Sequence, residues 1–219
     1  MAMKLEQAAA RRSVAHKRYK TKDGTIVPGV TTVLNVMAKP GLVPWANRLG
    51  LQGIEVSKYV DSLAEIGTIA HYRALCHFTG ETPDISDYPT SLVAASEPCM
   101  EKFHNWLKKH QVEPKWVEKE MVSEKMKFGG CFDFYGKIDG IWTIADFKTA
   151  KAVHDEHWYQ LAAYGGMLLE YGNPVDQAMV VQIGRSEDEG FSDPVRTDLA
   201  TGWEIFQHCL AIYNLKKRK

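Results

Sequence analysis

The sequence predicts an α/β fold of mixed α+β character: a central mixed β-sheet flanked by helices, with a helical layer ahead of it. Three observations carry this. Apolar residues recur at helical spacing through the first half, to about His110. Three strand-like runs then follow one another across short turn signals. A helical stretch, a wholly apolar run and a second helical stretch complete the order strand, strand, strand, helix, strand, helix. At 219 residues the chain suits one domain over 1–219, with a helical part at about 28–110 and an αβ core at about 115–219.

Residues 15–27 read as a short hairpin in which Tyr19 and Ile26-Val27 flank the turn dipeptide Asp23-Gly24. Val30, Val33, Leu34 and Met37 share one helical face, with Thr31 or Thr32 placed to cap it and Lys39-Pro40-Gly41 to end it. Residues 44–79 read as mostly helical, with Gly50, Gly53 and Gly67 as breaks. The next helix ends near His110, with Ser96 as its cap and Met100, Phe103 and Leu107 as its apolar stripe. The strand runs are Trp116 to Val122, Phe128 to Tyr135 and Ile141 to Phe147, the last two joined by the hairpin turn Asp139-Gly140. A helix follows over Glu156 to Tyr171. Residues 177–183 form a continuous apolar run of the kind buried on both faces of a sheet. Leu199, Trp203, Phe206, Leu210 and Tyr213 then mark a final helix. Trp45, Trp106, Trp116 and Trp203 are assigned to the core.

Hydrophobic content of 45% and charged content of 25% are those of a globular protein. No apolar run is long enough to cross a bilayer, and the N-terminus lacks an apolar signal core, so a cytoplasmic protein without a membrane partner is expected. The formal net charge of zero argues against a nucleic-acid binder held by bulk charge alone. It leaves room for a nuclease, whose acidic site offsets basic clusters elsewhere. Cys76, Cys99, Cys131 and Cys209 form no C-x-x-C pair and have no zinc-ligand spacing, so free thiols and no iron–sulfur cluster are expected.

The chemistry concentrates in Asp146-Phe147-Lys148 and in Asp133. Counted outward from the Asp139-Gly140 turn, the two aspartates are equidistant, so a regular hairpin sets them almost opposite one another with Cβ atoms about 5 Å apart. Like charges there repel, and a shared cation removes the conflict. Lys148, two residues beyond Asp146, faces the same side of the strand. Phe147 points into the core, and its carbonyl adds a candidate ligand. A hard divalent ion such as magnesium takes oxygen ligands and keeps several waters, so two or three protein ligands suffice. Such an ion can supply much of the barrier reduction of roughly 20 kcal/mol that phosphodiester hydrolysis demands.

Five segments resemble, in order, the PD-(D/E)XK nucleases, in the RecB-like and phage-type exonuclease branch. They are Pro28-Gly29-Val30-Thr31-Thr32-Val33-Leu34, Gly67-Thr68-Ile69-Ala70-His71, Gly129-Gly130-Cys131-Phe132-Asp133, Asp146-Phe147-Lys148-Thr149 and Gln160-Leu161-Ala162-Ala163-Tyr164. The resemblance implies a restriction-endonuclease-like core. It makes Asp133 and Asp146 metal-holding and catalytic, Lys148 the catalytic lysine, and His71 a further metal ligand. Gln160 and Tyr164 form the accessory motif that frames the site. Glu120 stands loosely at the upstream acid, with Glu118 and Glu124 nearby. Mg2+ or Mn2+ is the implied cofactor.

The expected function is a metal-dependent deoxyribonuclease, an exonuclease on DNA ends or single strands in recombination, repair or phage genome processing, in a bacterial or phage-infected cell. A recombinase, a single-strand-binding protein or a helicase is the expected partner class. A site- or structure-specific endonuclease of the same fold is the alternative, and a non-catalytic DNA-binding module the third reading. Lys17, Arg18, Tyr19 and Lys151 are the candidate DNA contacts, and Tyr19 and Trp45 are candidates for base stacking. His154 and His157 resemble a metal pair but are read as solvated loop.

Overall fold

The computed structural model describes residues 18–218. A hairpin opens it, β1 (Tyr19–Lys20) against β2 (Ile26–Val27). Residues 21–25 close it as a longer loop, in which the Thr21 N–H donates to the Thr25 carbonyl and the Thr21 hydroxyl to Asp23. Helix α1 (Val30–Leu34) starts directly after Gly29, so Thr31 and Thr32 lie exposed within it and do not cap it. Helix α2 (Leu42–Leu51) buries none of its side chains. Helix α3 (Val56–Thr79) runs unbroken through Gly67. Helix α4 (Thr90–Lys109) begins well before Ser96, which is buried inside it, accepting from Arg73 and donating to the Val93 carbonyl.

The main sheet has the order β3-β4-β5-β6-β7, with β8 also on β6. Its strands are β3 (Val112–Ser123), β4 (Phe128–Ile138), β5 (Ile141–Lys148), β6 (Gln177–Ile183), β7 (Phe191–Ser192) and β8 (Val195–Arg196). The β3–β4 and β4–β5 pairs are antiparallel. Helix α5 (Asp155–Glu170) then carries the chain over to β6, which lies parallel to β5. Helix α6 (Ala200–Lys217) closes the chain. This is an α/β architecture with a mixed central sheet flanked by helices. The short strands β7 and β8 have no counterpart in the sequence reading; at two residues each they are below the length at which alternation registers.

Apolar side chains from α1, α5 and α6 pack one sheet face around Phe128, Tyr135, Ile144 and Val180. Those of α3 and α4 pack the other around Phe134, Ala145, Phe147 and Val181. Strand β6 is therefore covered on both sides and buried along its whole length. Trp106 lies in this core; Trp116 and Trp203 are half-buried against it, and Trp45 stands away from it on α2.

The register places the site. Asp139 (φ +54°) and Gly140 (φ +82°) form the tight turn expected for a hairpin whose central residues both need positive φ, and Ile138 pairs Ile141 across it. The β4–β5 ladder stops at Phe134↔Ala145. Beyond that pair β4 keeps only β3, and Asp146, Phe147 and Lys148 continue on β6. The two strands thus fork, with Asp133 at the root of one arm and Asp146 at the root of the other.

Candidate active site

The fork is covered from one side by α3 and from the other by α5. Helix α3 comes close because Gly67 faces the end of β5: a Cβ there would sit 2.8 Å from the Thr149 hydroxyl. One helical turn on, His71 meets the strand end. Its Nε2 lies 2.5 Å from the Phe147 carbonyl, and a carbonyl can only accept, so Nε2 carries a proton and, in the neutral imidazole, Nδ1 is the nitrogen with the lone pair. That Nδ1 is 3.7 Å from Asp133 Oδ2. The same oxygen accepts the Phe147 N–H at 2.8 Å, which holds the carboxylate in the fork where a ladder carbonyl would otherwise be.

Glu118 completes this corner. The pairs Val117↔Phe134 and Lys119↔Phe132 set it across from Asp133. Its φ of +49° is left-handed in the middle of a strand, a conformation that costs a non-glycine residue on the order of 1 kcal/mol or more. The Cys131 thiol donates to its Oε2 at 3.5 Å. His71, Glu118 and Asp133 each bring one ligand atom, all within 4.8 Å of one another.

The other arm is polar and closed. Asp146 is 2% exposed, and Lys148 Nζ lies 2.7 Å from its Oδ2. Gln160 Nε2 donates to Asp146 Oδ1 at 3.3 Å and to the Tyr164 hydroxyl at 3.2 Å, and Lys148 Nζ reaches Gln160 Oε1 at 3.5 Å. Tyr164 fits beside β4 because Gly130 has no side chain: a Cβ there would stand 2.4 Å from the ring.

Electrostatics separate the two arms. Burial pushes the Asp133 carboxyl up to about 7; His71 and Lys148 oppose the rise, while Asp146 and Glu118 add to it. Burial alone would lower Lys148, but Asp146 and Asp133 outweigh it and hold the ammonium above its ordinary value. Burial, then Asp146, raises the Tyr164 hydroxyl well above the usual phenol range. Burial, then Lys148, holds His157 down to about 4, so this imidazole is uncharged near neutral pH.

Several expectations need correction. Glu120 is not the acid that joins the cluster: it pairs with Cys131, two residues further along β3, and Glu118 takes the place. Asp146 lies outside the compact ligand group because its carboxylate is turned to Lys148 and Gln160. The Phe147 carbonyl is engaged by His71, which makes it an orienting group for the imidazole. Tyr19 is half-buried with its ring against Gly129 and Gly29, and so wedges β1 onto β4. His154 is the exposed N-cap of α5, a solvated position, but His157 is half-buried in the first turn of the helix, where its Nδ1 accepts the His154 N–H at 3.3 Å. Arg18 and Lys151 are exposed, and Lys17 lies outside the described residues.

The donor set suits a hard divalent cation. An imidazole lone pair and two carboxylates converge, the central carboxyl is destabilised as an anion, and buried Asp146 Oδ2 has no hydrogen-bond donor in good geometry despite its contact with Lys148. No protein-family model matches the sequence, and no curated protein matches it. Among solved structures the chain is similar to the crystal structure of SSO0001, with 13% identity over 98% of this chain and 84% of that one, at a TM-score of 0.41.

Proposed function

We propose that the chain is a metal-dependent deoxyribonuclease of the PD-(D/E)XK type, an exonuclease that hydrolyses DNA phosphodiesters. The observation that supports it is the row across β3, β4 and β5. Glu118, Asp133 and Asp146 come to one fork, with Lys148 and Gln160 on one side and His71 on the other. A structural ion pair needs one acid and one base, and three acids in a row add repulsion that folding alone has no reason to keep.

His71, Glu118 and Asp133 would hold Mg2+ or Mn2+, with Asp146 at the margin of the set. Bound there, the cation neutralises phosphate charge and makes water acidic enough to react. The chain's own groups do the rest. Lys148 stays an ammonium at neutral pH, so it acts by charge and by orienting a water or a phosphate oxygen rather than by accepting a proton. Gln160 bridges Asp146, Lys148 and Tyr164, which fixes the ammonium in direction. The Phe147 carbonyl holds the His71 tautomer that presents Nδ1. Cys76, Cys99, Cys131 and Cys209 are all thiols, in keeping with a reducing, cytoplasmic setting. No described helix is long and apolar enough to cross a membrane.

The test is cleavage of end-labelled single-stranded, linear duplex and closed circular DNA with Mg2+, Mn2+ or chelator. The reading expects metal-dependent loss of linear substrates, survival of the circle, and loss of activity in Asp146→Ala and Lys148→Ala. Degradation of the circle supports the endonuclease alternative. Absence of any metal-dependent cleavage by the wild type removes the reading.

A further inference from the structure

Lys148 is the shared wall of two clefts. One, of about 410 Å3, lies on the α3 side and includes His71, Glu118 and Thr149. The second, of about 800 Å3, opens on the opposite side between the start of α2 and the first turns of α5, and falls in the size range of small-molecule sites. Its lining includes Lys39, Trp45, His154, Glu156, His157 and Gln160. Only Lys148 and Gln160 among the residues that line it have a part in the chemistry described above.

Trp45 has no core to serve. It stands on a helix that buries no side chain, half-exposed, with Tyr59 behind it at 6.4 Å between ring centroids. The cleft it faces carries two lysines beside His154 and the uncharged His157; Lys39 lies 3.0 Å from Glu156, and Lys148 2.7 Å from Asp146. An aromatic face beside cationic groups is the arrangement that holds unpaired nucleotides, because stacking accepts any base and the cations follow the backbone. In a duplex each base face is already covered by its neighbours.

We propose that this second cleft holds an unpaired nucleotide adjoining the scissile phosphodiester, its base against Trp45 and its phosphate near Lys39, so that the substrate is a single strand or a frayed end rather than intact duplex. The proposal rests on the nuclease reading above for what happens at Lys148. A strand passing over Lys148 would occupy both clefts, one on each side of the bond to be cut. Glu156 opposes an incoming phosphate and competes for Lys39.

The experiment is binding of fluorescein-labelled oligothymidylate and of a blunt hairpin duplex, measured by anisotropy in chelator so that nothing is cut. Wild type is expected to prefer oligothymidylate. Trp45→Ala should weaken that binding about tenfold and leave the hairpin unchanged, with Trp45→Phe recovering most of it. Lys39→Ala should lower the slope of log affinity against log salt by about 0.7. Glu156→Gln should tighten single-strand binding, which a merely structural residue would not do. Equal binding of oligothymidylate by wild type and Trp45→Ala, or equal loss on both DNAs, overturns the assignment. Wild type that binds single strands through Trp45 but cuts nothing with magnesium keeps the cleft and removes the nuclease. Wild type that cuts DNA while Trp45→Ala binds normally does the reverse.

Discussion

Asp133→Asn should make the metal-free protein more stable at pH 8, although it removes a charged group at the centre of the site. The folded structure raises the Asp133 carboxyl to about 7, chiefly by burial. Its protonated form is therefore favoured by folding. The stability linked to that proton is complete below the unfolded carboxylate value and is lost as pH rises through about 7. A gap of about three pH units corresponds to roughly 4 kcal/mol. Asparagine never pays this cost, and its side-chain oxygen can still accept the Phe147 N–H. The attraction of His71 and Lys148 is already contained in that value, but the new amide N–H2 needs partners in the fork, at a cost of about 2 kcal/mol, leaving about 2 kcal/mol, or a rise in melting temperature of about 4–8 °C for a chain of this size. Urea unfolding in chelator, at steps between pH 5 and pH 9, measures it. Wild type should lose stability toward pH 7 and Asp133→Asn should lack that slope. An asparagine variant less stable than wild type at pH 8, with the same pH dependence, refutes the reasoning.

Gly130→Ala drives a methyl into the Tyr164 ring, 2.4 Å away, and should cost about 2 kcal/mol in urea while disordering the Gln160 bridge and lowering cleavage. Glu118→Gln should lower metal-dependent cleavage at least about tenfold where Glu120→Gln changes it little, read by the rate of label release. His110 joins two loops by bonding Asp139 at 2.6 Å and Asp193 at 3.0 Å. Burial opposes its charge, but both aspartates outweigh that and raise it. The stability it contributes is complete below about 6.5 and is lost as pH rises through its folded value, so His110→Ala should destabilise more at pH 6 than at pH 9 in thermal melts.

The hairpin arithmetic explains both what could be read from the residues and what was missed. Counting outward from Asp139-Gly140 set Asp133 opposite Asp146, and the observed register agrees up to the pair before them. The same count from the β3–β4 turn, where Ser123 pairs Phe128, sets Glu118 opposite Asp133; applied there, it names Glu118 over Glu120. Helix boundaries failed where glycine or serine has two meanings. Gly67 is a place of close approach to Thr149 and Ser96 a buried hydrogen-bonding residue, and neither use leaves a local mark different from a break or a cap. Helix α2 carries no apolar stripe facing the core, so nothing local showed that Trp45 would face a cleft beside Lys148. The fork itself is a property of strand pairing over long separation and has no signature in any single segment.

If His71, Glu118 and Asp133 hold one hard divalent ion beside Lys148, anomalous diffraction from a crystal soaked in Mn2+ should show it. A single strong peak is expected between the His71 Nδ1 and the two carboxylates at about 2.1–2.3 Å, lost in Asp133→Asn. A soaked crystal with no peak in the fork, or with manganese held elsewhere by other residues, contradicts it.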